Sequence, residues 1–346
     1  MKPTEHKLIG ESNAYLTVLE QVSQLTRLNR PILIVGERGT GKELIAERLH
    51  FLSDRWAKPL VKMNCAAISE ALLESELFGH EAGAFTGANK RHIGRFERAD
   101  GGTLFLDELA TMSMKTQEKI LRFIEYGDFE RLGGSVSQQV DVRLVAATNE
   151  DLPSLAAAGK FRHDLLDRLA FDVITLPPLR ERPEDVVLLA EFFAVSMCKE
   201  LGLSYFPGFG PGALRDLQDY SWPGNIRELK NAVERSVYRH ADTDQPLETI
   251  LLNPFASPYR PTSPQVEPPS RPPASFVNPK NSVKPTSQDD LPADFKKACH
   301  EQQVRWLSAA LQKAKFNQKE AAKLLGLTYH QFRAQLRKHQ LLQDAP

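Results

Sequence analysis

The sequence predicts an α/β fold, a parallel sheet flanked by helices, followed by a small helical lid, a linker and a C-terminal helix-turn-helix domain. Short apolar runs alternate with amphipathic helical patterns up to about residue 176, which is typical of a parallel sheet covered on both faces. From Pro177 the pattern is all-helical, and eleven of the 23 prolines fall between Pro254 and Pro292. We therefore expect an α/β subdomain over 1–176, a lid over 177–253, a disordered Pro-rich linker over 254–293 and the helix-turn-helix domain over 294–346.

Composition places the chain among ordinary globular proteins: 346 residues, 41% hydrophobic and 25% charged. There is no run of 18 apolar residues and the first ten residues are polar, so neither membrane insertion nor a secretory signal is expected. Cys65, Cys198 and Cys299 are far apart, which favours reduced thiols and a cytoplasmic location. Only a few residues precede Leu8, so we expect no sensory domain ahead of it and control from outside the chain or from its C-terminal part.

The zero net charge hides an asymmetry. Residues 295–342 contain ten Lys or Arg and two Glu, a local charge of +8, and the remainder has 34 Lys or Arg against 42 Asp or Glu, or −8. A small basic unit attached to a larger acidic one predicts a nucleic-acid anchor. A solvated helical face is the alternative, and charge alone does not exclude it.

The first predicted elements are an amphipathic helix over about residues 14–28, with Leu16 and Val22 on its buried face, and a buried strand from Ile32 to Val35. A glycine loop and a second helix follow, and the spacing Gly36-x4-Gly41-Lys42 is that of a P-loop, which cradles phosphates. Glu43 stands where Ser or Thr is usual, so a magnesium ion must rely on water or a carboxylate. The predicted nucleotide-binding residues of this loop are Gly36, Glu37, Arg38, Gly39, Thr40, Gly41, Lys42 and Glu43.

Two features follow before the next catalytic motif. Trp56 lies among charged residues ahead of a second strand that ends at Asn64, and burial of this tryptophan is slightly favoured over exposure as a partner anchor. Further on, small residues surround Phe85 in a glycine-hinged loop without an evident local core. Such a loop indicates a partner contact. Its residues are Gly83, Ala84, Phe85, Thr86, Gly87 and Ala88.

A third buried strand delivers Asp107 and Glu108, where a P-loop protein carries its Walker B pair: Asp107 to hold magnesium and Glu108 to polarise the attacking water. A fourth strand, over 142–147, ends in polar side chains suited to sense the γ-phosphate. Farther along, two arginines are candidates to reach a neighbouring subunit's nucleotide, with surface salt bridges as the alternative, and one in the lid is placed to reach back to the nucleotide. These residues are Thr148 and Asn149, then Arg162 and Arg168, then Arg227.

The C-terminal segment predicts a helix-turn-helix unit. Asn317 reads as one helix N-cap, Gly326 turns the chain, and Thr328 caps a last helix whose inner face carries Phe332 and Leu336. Its outer face would enter the major groove of double-stranded DNA. The predicted DNA-binding residues are Thr328, Tyr329, His330, Arg333 and Arg337.

The P-loop, the Phe85 loop, the segment 102–108 and two further motifs, Glu-Leu-Phe-Gly-His-Glu at 76–81 and Trp-Pro-Gly-Asn-Ile-Arg-Glu-Leu at 222–229, together resemble the bacterial enhancer-binding proteins. These are the AAA+ P-loop ATPases that activate sigma-54 RNA polymerase, and the resemblance runs from about Leu8 to Leu342 apart from the linker. It implies ATP and Mg²⁺ as cofactors and a ring oligomer, a hexamer when active. Glu is common in this family at the position of Glu43, and the metal would be held by Asp107 and Glu43, partly through water.

The resemblance also implies roles for individual residues. Asn64 would be a switch that restrains Glu108, Thr148 and Asn149 a first sensor, and Arg227 a second sensor. Arg162 and Arg168 would act as trans arginine fingers, and Phe85 and Thr86 would touch sigma-54. The likeness is strongest to the phage-shock branch, a stress-response group inhibited in trans by the peripheral membrane protein phage-shock protein A, for which Trp56 is the predicted contact.

Two other functions fit parts of the sequence. An AAA+ remodeller outside transcription, such as a chaperone or helicase loader, explains the nucleotide site but neither the Phe85 loop nor the helix-turn-helix. A DNA-binding regulator whose nucleotide only sets its oligomeric state explains both ends but needs no Phe85 loop. Replacing Thr86 separates this regulator from a sigma-54 remodeller.

Overall fold

The computed structural model of the protein describes residues 8–241, 245–256, 295–314 and 317–339. They divide into two compact units, one before and one after residue 261, and each is described by itself. The predicted linker lies outside the described residues except for its first three positions. Along the described residues, no helix combines the length and the apolarity needed to cross a membrane.

The first unit is built on a parallel sheet, as predicted. Its strands lie in the order β2-β3-β6-β1-β7, and every neighbouring pair runs parallel; β4 and β5 form a separate antiparallel hairpin. The strands are β1 (Ile32–Val35), β2 (Leu60–Asn64), β3 (Thr103–Asp107), β4 (Asp128–Glu130), β5 (Ser137–Gln139), β6 (Arg143–Thr148) and β7 (Val173–Thr175).

Helices cover both faces of this sheet and form the lid. Those of the α/β part are α1 (Asn13–Leu25), α2 (Lys42–Phe51), α3 (Glu70–Phe78), α4 (Arg95–Arg98), α5 (Met114–Tyr126), α6 (Leu152–Ala157) and α7 (His163–Leu169), and those of the lid are α8 (Pro183–Glu200), α9 (Pro211–Asp219) and α10 (Asn225–His240). Along β3, Leu104 and Leu106 pack into the core on one face of the sheet and Phe105 into the core on the other. This alternation is what a strand buried on both faces requires.

Two predictions about burial are wrong. Helix α1 buries Tyr15, Val18, Val22 and Leu25, whereas Leu16 is 47% exposed. Val22 is buried as predicted, and Tyr15, whose ring lies 5.0 Å from the guanidinium of Arg182, faces the core in place of Leu16. Trp56 is 64% exposed, because α2 ends at Phe51 and the following turn carries the tryptophan away from the core.

The second unit contains α11 (Phe295–Lys313), α12 (Gln318–Leu324) and α13 (Tyr329–Lys338). These helices share a small core that includes Leu307, Ala321, Phe332 and Leu336, each no more than 4% exposed. Asn317 caps α12 through its side chain, and Gly326 turns the chain with a φ of +65°. The fold is the predicted helix-turn-helix.

Candidate nucleotide site and partner loop

The carboxyl ends of four parallel strands bring the predicted nucleotide-site residues to one edge of the sheet. Asn64 and Asp107 are register partners at the ends of β2 and β3, and Val35 pairs with Thr148 at the ends of β1 and β6. Because β6 lies between β3 and β1, the P-loop, the acidic pair and the two polar residues after β6 all meet at this edge. The alternation of strands and helices places these groups together although they are far apart in sequence.

The P-loop closes around its own lysine. Lys42 is 8% exposed, and its ammonium donates hydrogen bonds to the carbonyls of Gly36 at 2.9 Å and Glu37 at 3.2 Å. Burial lowers the pKa of this ammonium below its usual value, and the nearby carboxylates of Asp107 and Glu108 partly offset that effect. The Lys42 ammonium is therefore placed where it can bind phosphate oxygens.

The acidic pair shows how each carboxylate is held. Asp107 accepts a bond from the Asn64 amide at 3.5 Å and from the backbone N–H of Glu108 at 3.0 Å. Glu108 has a left-handed φ of +54° and lies 3.7 Å from Arg38. A non-glycine residue in this region is strained, and such strain concentrates at functional sites. In this structure the Asn64 side chain thus contacts Asp107, and Glu108 contacts the P-loop arginine.

The polar side chains at this edge suit a nucleotide bound together with Mg²⁺. Thr148 is fully buried, and the Oδ1 of Asn149 is buried without a hydrogen-bond partner among the described residues, as expected of an atom that meets a ligand or its water. Magnesium is usually bound by one or two carboxylates together with phosphates and water, which suits Asp107. Glu43 instead accepts a hydrogen bond from Lys62 at 2.9 Å, so its role as a metal ligand stays a prediction. Within the described ranges no cluster of three or more His, Cys, Asp or Glu is placed to hold a metal by itself.

The lid contacts the P-loop directly. The Ile226 N–H donates to the Gly39 carbonyl at 3.0 Å, and a Cβ added at Gly39 would lie 3.1 Å from the Cβ of Arg227 and 2.3 Å from the carbonyl of Gly224. Gly39 also has a φ of +80°, so both its conformation and its neighbours require glycine. The start of α10 therefore places Arg227 beside the P-loop, and its contact with the nucleotide stays a prediction.

Sequence reasoning missed a second connection between lid and P-loop. The Glu37 carboxylate accepts hydrogen bonds from Arg180 at 2.7 and 3.0 Å and from the Asn225 amide at 3.1 Å, and the Arg180 bonds lower the pKa of this carboxyl to about 2. Asn225 is fully buried and left-handed, with a φ of +53°. The asparagine after Trp-Pro-Gly was the available signal, but its P-loop partners, Glu37 and Arg38, lie more than 180 residues away in the chain.

The two candidate trans arginines lie at the surface. Arg162 is held by Asp164, with bonds of 2.7 and 3.0 Å, and Arg168 pairs with Glu125 at 3.1 Å. Arg162 is half-buried and Arg168 is exposed, and ion pairs near the surface contribute little to stability. The structure does not bring either arginine to this chain's own P-loop contacts.

The Phe85 loop is exposed but not unsupported. Phe85 is 41% exposed and belongs to no buried core cluster of the described residues, and its ring packs edge to face on His80 with 4.9 Å between centroids, a contact that the sequence did not indicate. The loop closes on itself through the Gly83 N–H and the Ala88 carbonyl at 2.7 Å. Behind it, Arg131 forms ion pairs with Glu81 and Glu97 at 2.8 and 2.7 Å.

The last helix of the second unit presents part of the predicted DNA surface. Arg333 and Arg337 are exposed, and Tyr329 is half-buried. The Thr328 hydroxyl forms a capping box with Gln331, so it stabilises the start of α13 in addition to any contact with DNA. The side chain of His330 lies outside the described residues.

These features define a P-loop ATPase subdomain with a helical lid, joined in sequence to a helix-turn-helix domain. Three family models match the chain: "Sigma-54 interaction domain" over residues 8–175, "AAA+ ATPase lid domain" over 180–265 and "Bacterial regulatory protein, Fis family" over 303–339. The chain is 58% identical over 341 residues to the Psp operon transcriptional activator of Escherichia coli (strain K12), covering 99% of this chain and 100% of that protein. It belongs to the sigma-54-dependent transcriptional activators and carries, in addition to the AAA+ unit, a helix-turn-helix domain.

Two further comparisons agree. The Nif-specific regulatory protein of Azotobacter vinelandii is 41% identical over 94% of this chain and 58% of its own length. The crystal structure of NtrX from Brucella abortus in complex with ATP has a TM-score of 0.67 and 32% identity, covering 96% of this chain and 70% of that chain. NtrX has also been solved with ADP. Membership of the family implies ATPase activity for the first unit.

Proposed function

We propose that the protein is an ATP-driven remodeller, which binds upstream enhancer DNA and acts on the closed complex of sigma-54 RNA polymerase. The observation that carries the proposal is the exposed Phe85 loop, which projects from the same subdomain that holds the nucleotide residues at its sheet edge. A regulator that only binds DNA has no use for such a loop. An ATPase that acts on an unrelated target does not need the DNA-binding helix α13.

The chain's own residues divide the work of ATP hydrolysis. The P-loop N–H groups and Lys42 hold the phosphates, and Asp107 would hold a magnesium ion, which would neutralise charge on the transferred phosphoryl group. Glu108 orients and polarises the attacking water, and Thr148 and Asn149 contact the γ-phosphate end of the site. The orphaned Oδ1 of Asn149 supports this assignment.

Arg162 and Arg168 act on the nucleotide of a neighbouring subunit. Both arginines are exposed enough to exchange their present carboxylate partners for phosphate oxygens. An arginine supplied in trans contributes roughly 10³-fold or more to turnover in related systems. We therefore propose a ring, a hexamer when active, with each ATP between two subunits and Arg227 reporting the nucleotide to the lid.

Control is proposed to come from a trans-acting negative regulator. The 58% identity to the Psp operon activator makes phage-shock protein A the first candidate, and the 64% exposure of Trp56 makes that side chain an accessible anchor for it. The operon that the protein activates would then belong to an envelope-stress response, and the protein itself would act in the cytoplasm.

The decisive experiment replaces Thr86 by alanine, with Thr86→Ser as the variant that keeps the hydroxyl. Thr86→Ala should retain ATPase turnover and lose open-complex formation at a sigma-54 promoter. Thr86→Ser should retain ATPase turnover and keep more of the open-complex formation than Thr86→Ala does. Promoter opening that is unchanged in Thr86→Ala would refute the remodelling function and favour a regulator in which nucleotide only sets assembly.

A further inference from the structure

The support beneath Phe85 is a pair of stacked histidine rings. His80 lies edge to face against Phe85, with 4.9 Å between centroids and 66° between planes. The His80 ring also stacks on His92, with 5.4 Å between centroids and 24° between planes. An aromatic ring placed on another in this geometry is a favourable, orientation-dependent contact.

The His80 ring is held in place from two directions. Its Nδ1 is 2.7 Å from the Ser75 hydroxyl on α3, and its backbone pairs with His92 through two hydrogen bonds of 3.1 and 2.9 Å. The ring is therefore a fixed support and not a freely rotating surface side chain. Any movement of α3 would carry Ser75 with it and turn the ring.

The loop itself has room to move. Gly83 and Gly87 have φ values of +85° and +103°, and a Cβ added at either would meet nothing within 4 Å. Glycines in open surroundings let the backbone pivot at both ends of the loop. The Phe85–His80 contact is thus well placed to decide whether the aromatic side chain rests on the subdomain or extends from it.

The other end of α3 leads toward the nucleotide site. Asn64 accepts the Ala66 N–H at 2.9 Å, which caps the short turn before α3, and its amide contacts Asp107. The chain from Asn64 through α3 therefore connects the Walker B carboxylate, at one end, with the Ser75–His80 contact at the other. The chain of contacts gives a physical route, and its coupling is open to measurement.

We propose that His80 is a positioning residue that seats Phe85 against the ATPase subdomain and so sets how readily the loop is presented to its partner. This inference rests on the proposed contact between the Phe85 loop and sigma-54. Loss of the aromatic seat shifts the loop toward the extended state by about 2- to 13-fold, the range that an aromatic pair of this kind provides.

The experiment measures binding of purified sigma-54 to the full-length protein without nucleotide and with the transition-state probe of ADP and aluminium fluoride. His80→Ala should bind sigma-54 without nucleotide about 2- to 13-fold more tightly than the unaltered protein, with ATPase turnover within about twofold. His80→Phe keeps an aromatic seat but loses the hydrogen bond to Ser75, so it should shift binding no more than Ser75→Ala does. Ser75→Ala removes only the orienting hydrogen bond and should show a smaller change in the direction of His80→Ala.

Two results overturn the inference: nucleotide-free binding by His80→Ala that equals that of the unaltered protein, or equal behaviour of His80→Phe and His80→Ala. If His80→Ala does not fold, as judged by thermal melting, Ser75→Ala carries the test, and unchanged binding in that variant overturns the inference as well. Phe85→Ala separates the two levels. If Phe85→Ala does not bind sigma-54 while His80→Ala binds as the unaltered protein does, only the role of His80 is refuted. If Phe85→Ala binds sigma-54 normally, the proposed contact between the Phe85 loop and sigma-54 is refuted as well.

Discussion

Replacing Asn225 by alanine removes the side chain that joins the lid to the P-loop. The Asn225 Oδ1 accepts the Leu179 N–H at 2.7 Å, and its Nδ2 donates to the Glu37 carboxylate and the Arg38 carbonyl, both at 3.1 Å. All three bonds cross between segments that are distant in sequence. Alanine makes none of them and must also occupy a left-handed backbone position, with φ at +53°.

The expected loss of stability has two parts. The Leu179 N–H is buried, and leaving it without an acceptor costs about 1–3 kcal/mol. Alanine tolerates the left-handed conformation less well than asparagine, which adds about 1 kcal/mol. The Asn225→Ala variant should therefore be less stable by about 2–4 kcal/mol, and ATP binding should weaken by about tenfold, since one or two hydrogen bonds that hold the lid on the P-loop are lost.

The assay compares denaturant unfolding and ATP affinity of Asn225→Ala with those of Asn225→Gly. Glycine removes the same hydrogen bonds but accepts the backbone conformation, so it should fall between the alanine variant and the unaltered protein in stability. An alanine variant within about 0.5 kcal/mol of the unaltered protein would refute the hydrogen-bond reasoning. A glycine variant no more stable than the alanine variant would refute the backbone part alone.

Further predictions concern catalysis, pH, control and DNA. Lys42→Ala should abolish nucleotide binding, measured by equilibrium titration, while Glu108→Ala should bind ATP and lose turnover; near-normal affinity in the first or lost binding in the second contradicts the assigned roles. The pKa of Glu37 is about 2 in the folded protein, against an ordinary value of 4.5. Its ionised carboxylate therefore contributes to the free energy of unfolding above pH 4.5, and this contribution is lost as the pH falls toward 2. Glu37→Gln should therefore flatten the acid dependence of the denaturation midpoint in that window, by no more than about 1 kcal/mol because the carboxylate is exposed. Trp56→Ala should keep basal ATPase activity and escape inhibition in a titration with phage-shock protein A, and equal inhibition of both proteins would exclude this anchor. Deleting residues from Pro292 onward should leave ATPase activity and remove specific, salt-sensitive DNA binding, and promoter occupancy by the truncated chain would place the DNA contact elsewhere.

Local patterns predicted much of this architecture because they depend on neighbours in the chain. The strand before the P-loop, the strand before Asp107 and the cap at Thr328 each follow from apolar runs or capping residues a few positions apart. The parallel sheet then brings their ends together without further information. The meeting of the P-loop, the acidic pair and the residues after β6 at one sheet edge could therefore be expected from the sequence, while the roles of these residues stay predictions.

Contacts between distant segments were not predictable in the same way. Helical periodicity alone allowed Leu16 to face the core, whereas the structure buries Tyr15 there, in contact with Arg182 from a distant part of the chain. The charged neighbours of Trp56 did not reveal that its turn lies outside the core. The bond between Asn225 and Glu37 spans 188 positions, and no local pattern encodes such a pair.

The carboxylate of Asp185, on lid helix α8, accepts hydrogen bonds from the backbone N–H groups of Glu11 and Ser12 at 2.6 and 2.9 Å and from the Ser12 hydroxyl at 2.7 Å. Both Asp185 and Ser12 are buried, so these hydrogen bonds are shielded from water. Breaking any one of them would leave a buried polar group without a partner, which is unfavourable in free energy. A rotation of the lid would therefore move the N-terminal end of α1 with it. The exposed side chain at Leu16 then becomes a natural place for a spectroscopic label, because its motion would report lid movement from a position outside the lid.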